Sequence, residues 1–294
     1  MRFRISHETV YEYATPAFES VGELRIFPVD TPAQAVLKRD VQLEPAASIE
    51  TFEDCFGNTA GFFTIPFRHR RLRVRMSAEV ETCPPPPPGA AADMPVGQVK
   101  RLNRDRRIDL YLFRQPTIAV PLGSVVAPLR KRFFRESTPL GEALHDLNGW
   151  IHGQFSYKPG LTDVGTPLSE VIRHKAGVCQ DFAHLMLAIL RSNGLVARYV
   201  SGYIEPFDPT RKNSPELIGA AASHAWVEVH LPNGTWWGFD PTNNQCVGER
   251  HVRVAVGRDY NDVSPLRGTC KGALNQTLKV IVSMKRRSPL RRPS

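Results

Sequence analysis

Short runs in which apolar and polar residues alternate dominate the first 80 or so positions of the chain. FRISHETVYEY, LRIFPV, RDVQLEP, TAGFFTI and LRVRMSAEVET are separated by Pro, Asp, Gly and Asn, the texture of short strands joined by turns. Within RVRMSAEV, Val74, Met76, Ala78 and Val80 recur at every second position between polar or charged neighbours, so the strand has one wet face and one buried face. An antiparallel β-domain is predicted here. Residues 82–97 break every periodicity, and Pro84 to Pro88 are five consecutive prolines, which favour an extended spacer. A spacer is preferred to a docking ligand for aromatic grooves, because flanking recognition features are missing.

Beyond the spacer the period changes to that of a helix. Leu140, Leu144, Leu147, Ile151 and Phe155 lie three or four apart. TPLSEVIRHKAG then opens a second helix, with Thr166 as N-cap, Pro167 in the first turn and Gly177 closing it. Val178, Phe182, Leu185, Met186, Ile189 and Leu190 form one stripe that Gly194 stops, the strongest helical signal in the chain. Strand-like ARYVSGYIE, HAWVEVHLP and TWWGFDPT follow, the last two joined by an Asn-Gly turn. Residues 206–222 read as a long loop, and QTLKVIVSMK as a last strand. Helix first and sheet second is an α+β order.

Composition sharpens the division. The 294 residues, 41% of them hydrophobic and 23% charged, are enough for about two domains at roughly 150 residues each. The expected layout is a β-rich domain over 1–82, a proline-rich linker over 83–97, a core with its C-terminal strand over 98–285, and a basic tail over 286–294. Thirty-eight Lys and Arg against 29 Asp and Glu give a charge of +9. The basic clusters at 68–75 and 285–292 overlap an alternating strand and a terminus, so they read as solvated charge and predict no specific nucleic-acid partner. There is no run of about 18 apolar residues and no hydrophobic leader at the start, so neither a membrane partner nor export is expected. Five scattered cysteines, Cys55, Cys83, Cys179, Cys246 and Cys270, form no CxxC pair and no disulfide framework, which fits a reducing cytoplasm with free thiols.

One cysteine has chemical company. Cys179 opens the strong helix, where unpaired backbone N–H groups and the helix dipole favour an anionic sulfur. His224 begins a strand and Asp240 ends the next. A hairpin turning at Asn233-Gly234 brings those two together across neighbouring strands, so that the carboxylate holds the far side of the imidazole while the near nitrogen faces the thiol. Taken alone, Cys179 is an ordinary buried cysteine; with His224 and Asp240 it is a nucleophile with its base and orienter.

The segments GVCQDFAHLMLAILRSNGLVARYVSGYI, SHAWVEVHLPNGTWWGFDPTN and HVRVAVGRDYNDVSPLRG closely resemble the core of bacterial transglutaminase-like proteins, a superfamily described as candidate cysteine proteases. HETVYEYATPAFESVGELRIFP and DCFGNTAGFFTI resemble the β-rich N-terminal domain of the same bacterial branch. The resemblance implies an α+β fold with a papain-like transglutaminase core, in which Cys179, His224 and Asp240 match the catalytic cysteine, histidine and acid. It implies attack of a thiolate on a peptide or protein amide carbonyl, with the acyl-enzyme resolved by water or by an amine. Relatives of this type often occur beside ATP-grasp and peptide-modifying genes, which implies a small peptide or amide substrate.

Hydrolysis is preferred to cross-linking, because the extra β-domains and calcium sites of animal-type transglutaminases are missing and no DxDxDG loop is present. A catalytically silent scaffold is the remaining alternative, against which the intact Cys179, His224 and Asp240 argue. No cofactor and no metal are expected. A zinc set of Cys179, His184, His224 and Asp240 lacks compact ligand spacing, and His184 reads as a packing residue. Gln180 reads as structural and Asp181 as a dipole or capping carboxylate. The backbone N–H of Cys179 is the expected oxyanion donor. Trp226, Trp236, Trp237, Tyr157 and Tyr203 stand between cleft and core.

Overall fold

The computed structural model describes residues 1–103, 108–206, 217–219 and 222–287. Its N-terminal part is built on β1 (Arg2–Leu24), a 23-residue strand on which Phe3, Ile5, His7 and Thr9 turn inward at every second position. The run read from the sequence, residues 3–13, is therefore only its first half. Between Glu12 and Ala17 the register shifts, and Glu19 takes φ of 48°, so the strand bends and serves two groups of neighbours.

Strands β2 (Gln34–Glu44), β3 (Glu50–Glu53), β4 (Thr59–Ile65) and β5 (His69–Thr82) complete the antiparallel order β2-β5-β1-β4-β3. The register of β5 on the first half of β1 runs from Arg2↔Glu81 to Glu12↔Arg71, and β4 pairs with the second half from Ser20↔Ile65 to Leu24↔Gly61. Val74, Met76, Ala78 and Val80 of β5 are all buried, as the alternation predicts.

After the prolines come α1 (Val96–Leu102), α2 (Ile108–Tyr111), α3 (Ala127–Phe133) and α4 (Leu140–Gln154). The Leu140, Leu144, Leu147 and Ile151 stripe of α4 is fully buried. A short strand β6 (Ser156–Tyr157) pairs in parallel with β7 (Ala176–Gly177). Between them α5 (Leu168–His174) starts after Pro167 and ends at Lys175, which adopts a left-handed φ of 48°. Gly177 therefore does not close that helix. It lies in β7, and Thr166 is occupied by a local bond from the Asp163 N–H instead of capping.

α6 (Cys179–Ser192) is the buried spine of the second part. Phe182, Leu185, Met186, Ile189 and Leu190 are at most 2% exposed, so this helix is sheathed in protein on nearly every side. Gly194, at φ of 78°, supplies the left-handed stop that a side chain would resist. The core sheet is antiparallel with order β11-β10-β9-β8-β12: β8 (Ala197–Ile204), β9 (His224–His230), β10 (Trp236–Asp240), β11 (Gln245–Cys246) and β12 (His251–Gly257). On β9, Ala225, Val227 and Val229 join the hydrophobic cluster that contains α6, which turns His224, Trp226 and Glu228 to the other face.

The C-terminal strand was drawn with the core in the sequence. After α7 (Tyr260–Val263), β13 (Leu266–Lys271) and β14 (Gln276–Arg286) instead return to the N-terminal part and pair with β1, from Phe3↔Arg286 to Tyr13↔Gln276 for β14. β5 and β4 leave one edge of each half of β1 open, and the returning segment pairs those edges. The polyproline run is likewise no free tether, because Pro85 and Pro86 form part of a cavity wall against the core sheet. The basic tail lies outside the described residues from position 288 onward, as does most of the loop predicted over 206–222.

Candidate active site

Cys179 is the first residue of α6 and is 8% exposed. The turn before it is held by Asp181, whose Oδ2 accepts the Val178 N–H at 2.8 Å and the Thr162 hydroxyl at 2.6 Å. Burial pushes the Asp181 carboxyl up in spite of those bonds. Gly177 makes room for it, since a Cβ there would sit 2.5 Å from Asp181 Oδ2. Asp181 thus caps the helix start, as its position in the first turn predicted.

Across the cleft, the β9–β10 hairpin has the register Trp236↔His230 to Phe239↔Val227. Asp240, one step further, is the same-face diagonal neighbour of His224. His224 Nε2 lies 2.8 Å from Asp240 Oδ2, and both side chains are fully buried. Burial disfavours a charged ring, but the Asp240 carboxylate and its hydrogen bond, followed by Cys179, outweigh it and raise the His224 pKa to about 10. Burial likewise opposes ionisation of Asp240, yet the charge and hydrogen bond of His224, with a smaller part from His251, hold its carboxyl well below the usual range. Among the described residues His224 Nδ1 makes no hydrogen bond of ordinary geometry, and the Cys179 thiol contributes to the raised pKa of the ring. The structure therefore gathers all three residues singled out in the sequence.

Two further residues belong to the site. His251, at the start of β12, places Nε2 3.4 Å from Asp240 Oδ2, while its Nδ1 accepts the Gly248 N–H. That bond fixes the tautomer, so Nε2 carries the proton toward Asp240; burial, which the carboxylate only partly offsets, lowers the ring's pKa. Asn243 donates from Nδ2 to Asp240 Oδ2 at 2.8 Å, and its side-chain amide also exchanges two hydrogen bonds with the backbone of Ile218. The backbone N–H groups of Thr242 and Asn243 both donate to Asp240 Oδ1. Asn243 thereby ties residues 218–219 to the carboxylate, where Gly219, at φ of 98°, runs so close to the imidazole that a Cβ would lie 2.4 Å from Nδ1. Only glycine fits at that point. Neither His251 nor Asn243 was singled out in the sequence: HVRVAV reads as an ordinary strand, and only the PTNN turn after Asp240 carries a hint of side-chain bonding.

The aromatic residues left between cleft and core divide. Trp226 is 1% exposed and packs edge-on to His251, with ring centroids 5.3 Å apart. Tyr203 is buried against His7 of β1, whereas Tyr157 is half-buried. Burial, with smaller parts from Cys179 and Asp181, pushes the Tyr157 phenol up to about 12. Trp236 and Trp237 are half-buried and line a cavity together with Trp226 and Glu228.

His184 stays apart, its ring tilted against Tyr199 and its Nε2 accepting the Tyr260 N–H, so the four-residue zinc set does not assemble. Donor atoms of His224, Asp240 and His251 lie within 4.8 Å of one another and can be drawn as a metal site. All three are already joined by hydrogen bonds that orient both rings, which accounts for their positions without an ion.

A cysteine opening a buried helix, facing a His–Asp pair on the adjacent antiparallel sheet, defines an α+β protein with a papain-like core. Two family models match in succession: the bacterial transglutaminase-like N-terminal region over residues 3–81 and the transglutaminase-like superfamily over 128–241. An uncharacterized Mycobacterium tuberculosis protein is 36% identical over 281 residues, covering 91% of this chain and 87% of its own, and one from Mycobacterium leprae is 34% identical over 97% and 99%. A solved structure described as a candidate cysteine protease from Cytophaga hutchinsonii superposes with a TM-score of 0.71 at 22% identity, covering 98% and 93% of the two chains. The chain belongs to the transglutaminase-like superfamily.

Proposed function

We propose that this protein is a thiol-dependent peptidase or amidase in which Cys179 attacks an amide carbonyl, His224 carries the proton and Asp240 orients the ring. The observation that carries the reading is the His224 ring, anchored through Nε2 to a buried Asp240 and left with Nδ1 for the thiol side. An imidazolium held in that way stabilises a thiolate and then gives its proton to the departing amine. The backbone N–H of Cys179, in the first turn of α6 where helix geometry offers no intrahelical acceptor, is the donor this reading assigns to the developing oxyanion. Water then attacks the thioester carbonyl, His224 takes its proton, and the acid product leaves with the thiol restored.

Resolution by an amine would make the same acyl-enzyme a transferase. That second reading is favoured by an alignment at 31% identity over 98 residues, 33% of this chain and 14% of the relative, with a Pseudomonas aeruginosa protein-glutamine gamma-glutamyltransferase. Incubating the protein with a peptide library and a primary amine, followed by mass spectrometry, separates the outcomes. Cleavage or deamidation that disappears in Cys179→Ala is the expected result, amine incorporation would assign the transferase, and undiminished turnover by Cys179→Ala would overturn both.

A further inference from the structure

On the face of the core sheet that carries His224, Trp226 and Glu228 lies a cavity of about 280 Å³, lined by the core sheet, the polyproline segment and residues 31–34 of the N-terminal part. Neither Cys179 nor His224 lines it; His251 forms a wall shared with the triad. We propose that this cavity binds a small organic carboxylate with a planar apolar body.

The charge on its walls points to an anion. The charged lining residues are Arg198, Arg253 and Glu228, two guanidinium groups and one carboxylate. Arg198 spends Nε and Nη2 on the same oxygen, Glu228 Oε2, at 2.8 and 2.6 Å, and Arg253 approaches that oxygen at 3.7 Å. One carboxylate shared by two cations leaves a net positive wall. Burial would push Glu228 up, but the two arginines outweigh it and hold its carboxyl below the usual range, so Glu228 stays an acceptor and does not become a donor.

Arg253 is the looser of the two cations, 3.7 Å from Glu228 with its side chain still 23% exposed, whereas the Trp226 indole leans toward Glu228. A carboxylate in the cavity pairs with Arg253 and neutralises the surplus charge.

The rest of the wall selects the body of the ligand. Trp236 has Arg198 3.9 Å from its ring centroid, and together with Trp237, Pro85 and Pro86 it supplies flat apolar surface. The volume lies at the small end of ligand pockets, which begin at about 300 Å³, so one ring fits and a nucleotide does not. Gln34 holds the N-terminal wall in place: its side-chain amide donates to Arg253 O at 2.9 Å and accepts from Arg253 N at 2.8 Å.

The carboxylate can belong to a free aromatic acid or to the C-terminal residue of a peptide. Benzoate and N-acetylphenylalanine, each compared with its amide, are titrated into the full chain by calorimetry and tryptophan fluorescence, without any use of turnover. Saturable binding of the acids is expected, at least tenfold tighter than of the amides. Tighter binding of N-acetylphenylalanine assigns the site to a peptide C-terminus, and the reverse assigns it to a free acid. Arg253→Met should weaken the acids at least tenfold while Cys179→Ala leaves them unchanged. Equal binding of acid and amide, or no saturable binding of either, would overturn the proposal on the wild-type chain, whatever the folding of the variant.

Discussion

Asp240 is the residue on which the site turns. Its two oxygens accept from His224, His251, Asn243 and two backbone N–H groups, which is how a fully buried carboxylate stays ionised. Replacing it with Asn leaves the shape but puts an NH₂ where one acceptor was, so the ring loses its tautomer and its anchor. Asp240→Asn is expected to lower turnover by on the order of 10⁴-fold, the size of the tautomer effect in a serine triad, and to slow iodoacetamide labelling of Cys179. The pH dependence of stability follows from the same pair. The unfolded ring titrates near about 6.5 and the folded ring near about 10, so the stabilisation is fully present below the first value and fades as pH rises to the second. A thermal-unfolding series across that window should show the alkaline loss in the wild type and a flatter limb in Asp240→Asn. The placement of Cys179 at a helix start and of His224 beside Asp240 was legible in the sequence because a helix start and a hairpin register are local features. His251 and Asn243 were not, because their roles arise from the β8–β12 pairing and from a turn meeting residues 218–219, neither of which has a periodic signature.

At the scale of elements, α6 does two things: it fills the core and it aims Cys179. Its stripe is read directly from the sequence, and so are β8, β9 and β10, since each has one face committed to the core. Boundaries were harder. α5 stops at Lys175 because that residue turns left-handed and lets Ala176 and Gly177 pair with Ser156 and Tyr157, a two-residue parallel strand too short for any period to announce. This pairing and the Asp181 bond to Val178 N–H together set where the helix begins. Asp181→Ala removes a cap whose loss costs about 0.5–2 kcal/mol, and it frees the Thr162 hydroxyl as well. Chemical denaturation should show a loss of that size with an unchanged m-value, and Cys179 labelling should slow because the helix start loosens. Wild-type labelling in a destabilised variant would mean that Asp181 serves stability alone.

At the scale of the whole molecule, the proline run divides the sequence more sharply than it divides the structure. β13 and β14 close on β1, Asn58 exchanges two hydrogen bonds with the backbone of Val256, and Arg286 forms a double contact with Glu205. No local pattern in QTLKVIVSMK could name β1 as its partner, since periodicity fixes a strand's faces and leaves its neighbour open. The buried His7–Tyr203 bond, 2.8 Å from Nδ1 to the phenol oxygen, joins β1 to β8 in the middle of this interface. Burial lowers His7 to about 4, and does the same to His184 in the core. Each ring stays neutral in the folded chain until about pH 4 but takes a proton near about 6.5 once unfolded, so acid in that window favours unfolding. If the interlocked halves unfold together, calorimetry gives a single transition that carries both slopes. His7→Phe should then make the acid limb shallower by up to one proton, about 1.4 kcal/mol per pH unit, without splitting the transition. Two resolved transitions, only one of them responding to His7→Phe, would mean that the C-terminal strands tie the halves together without coupling their stability.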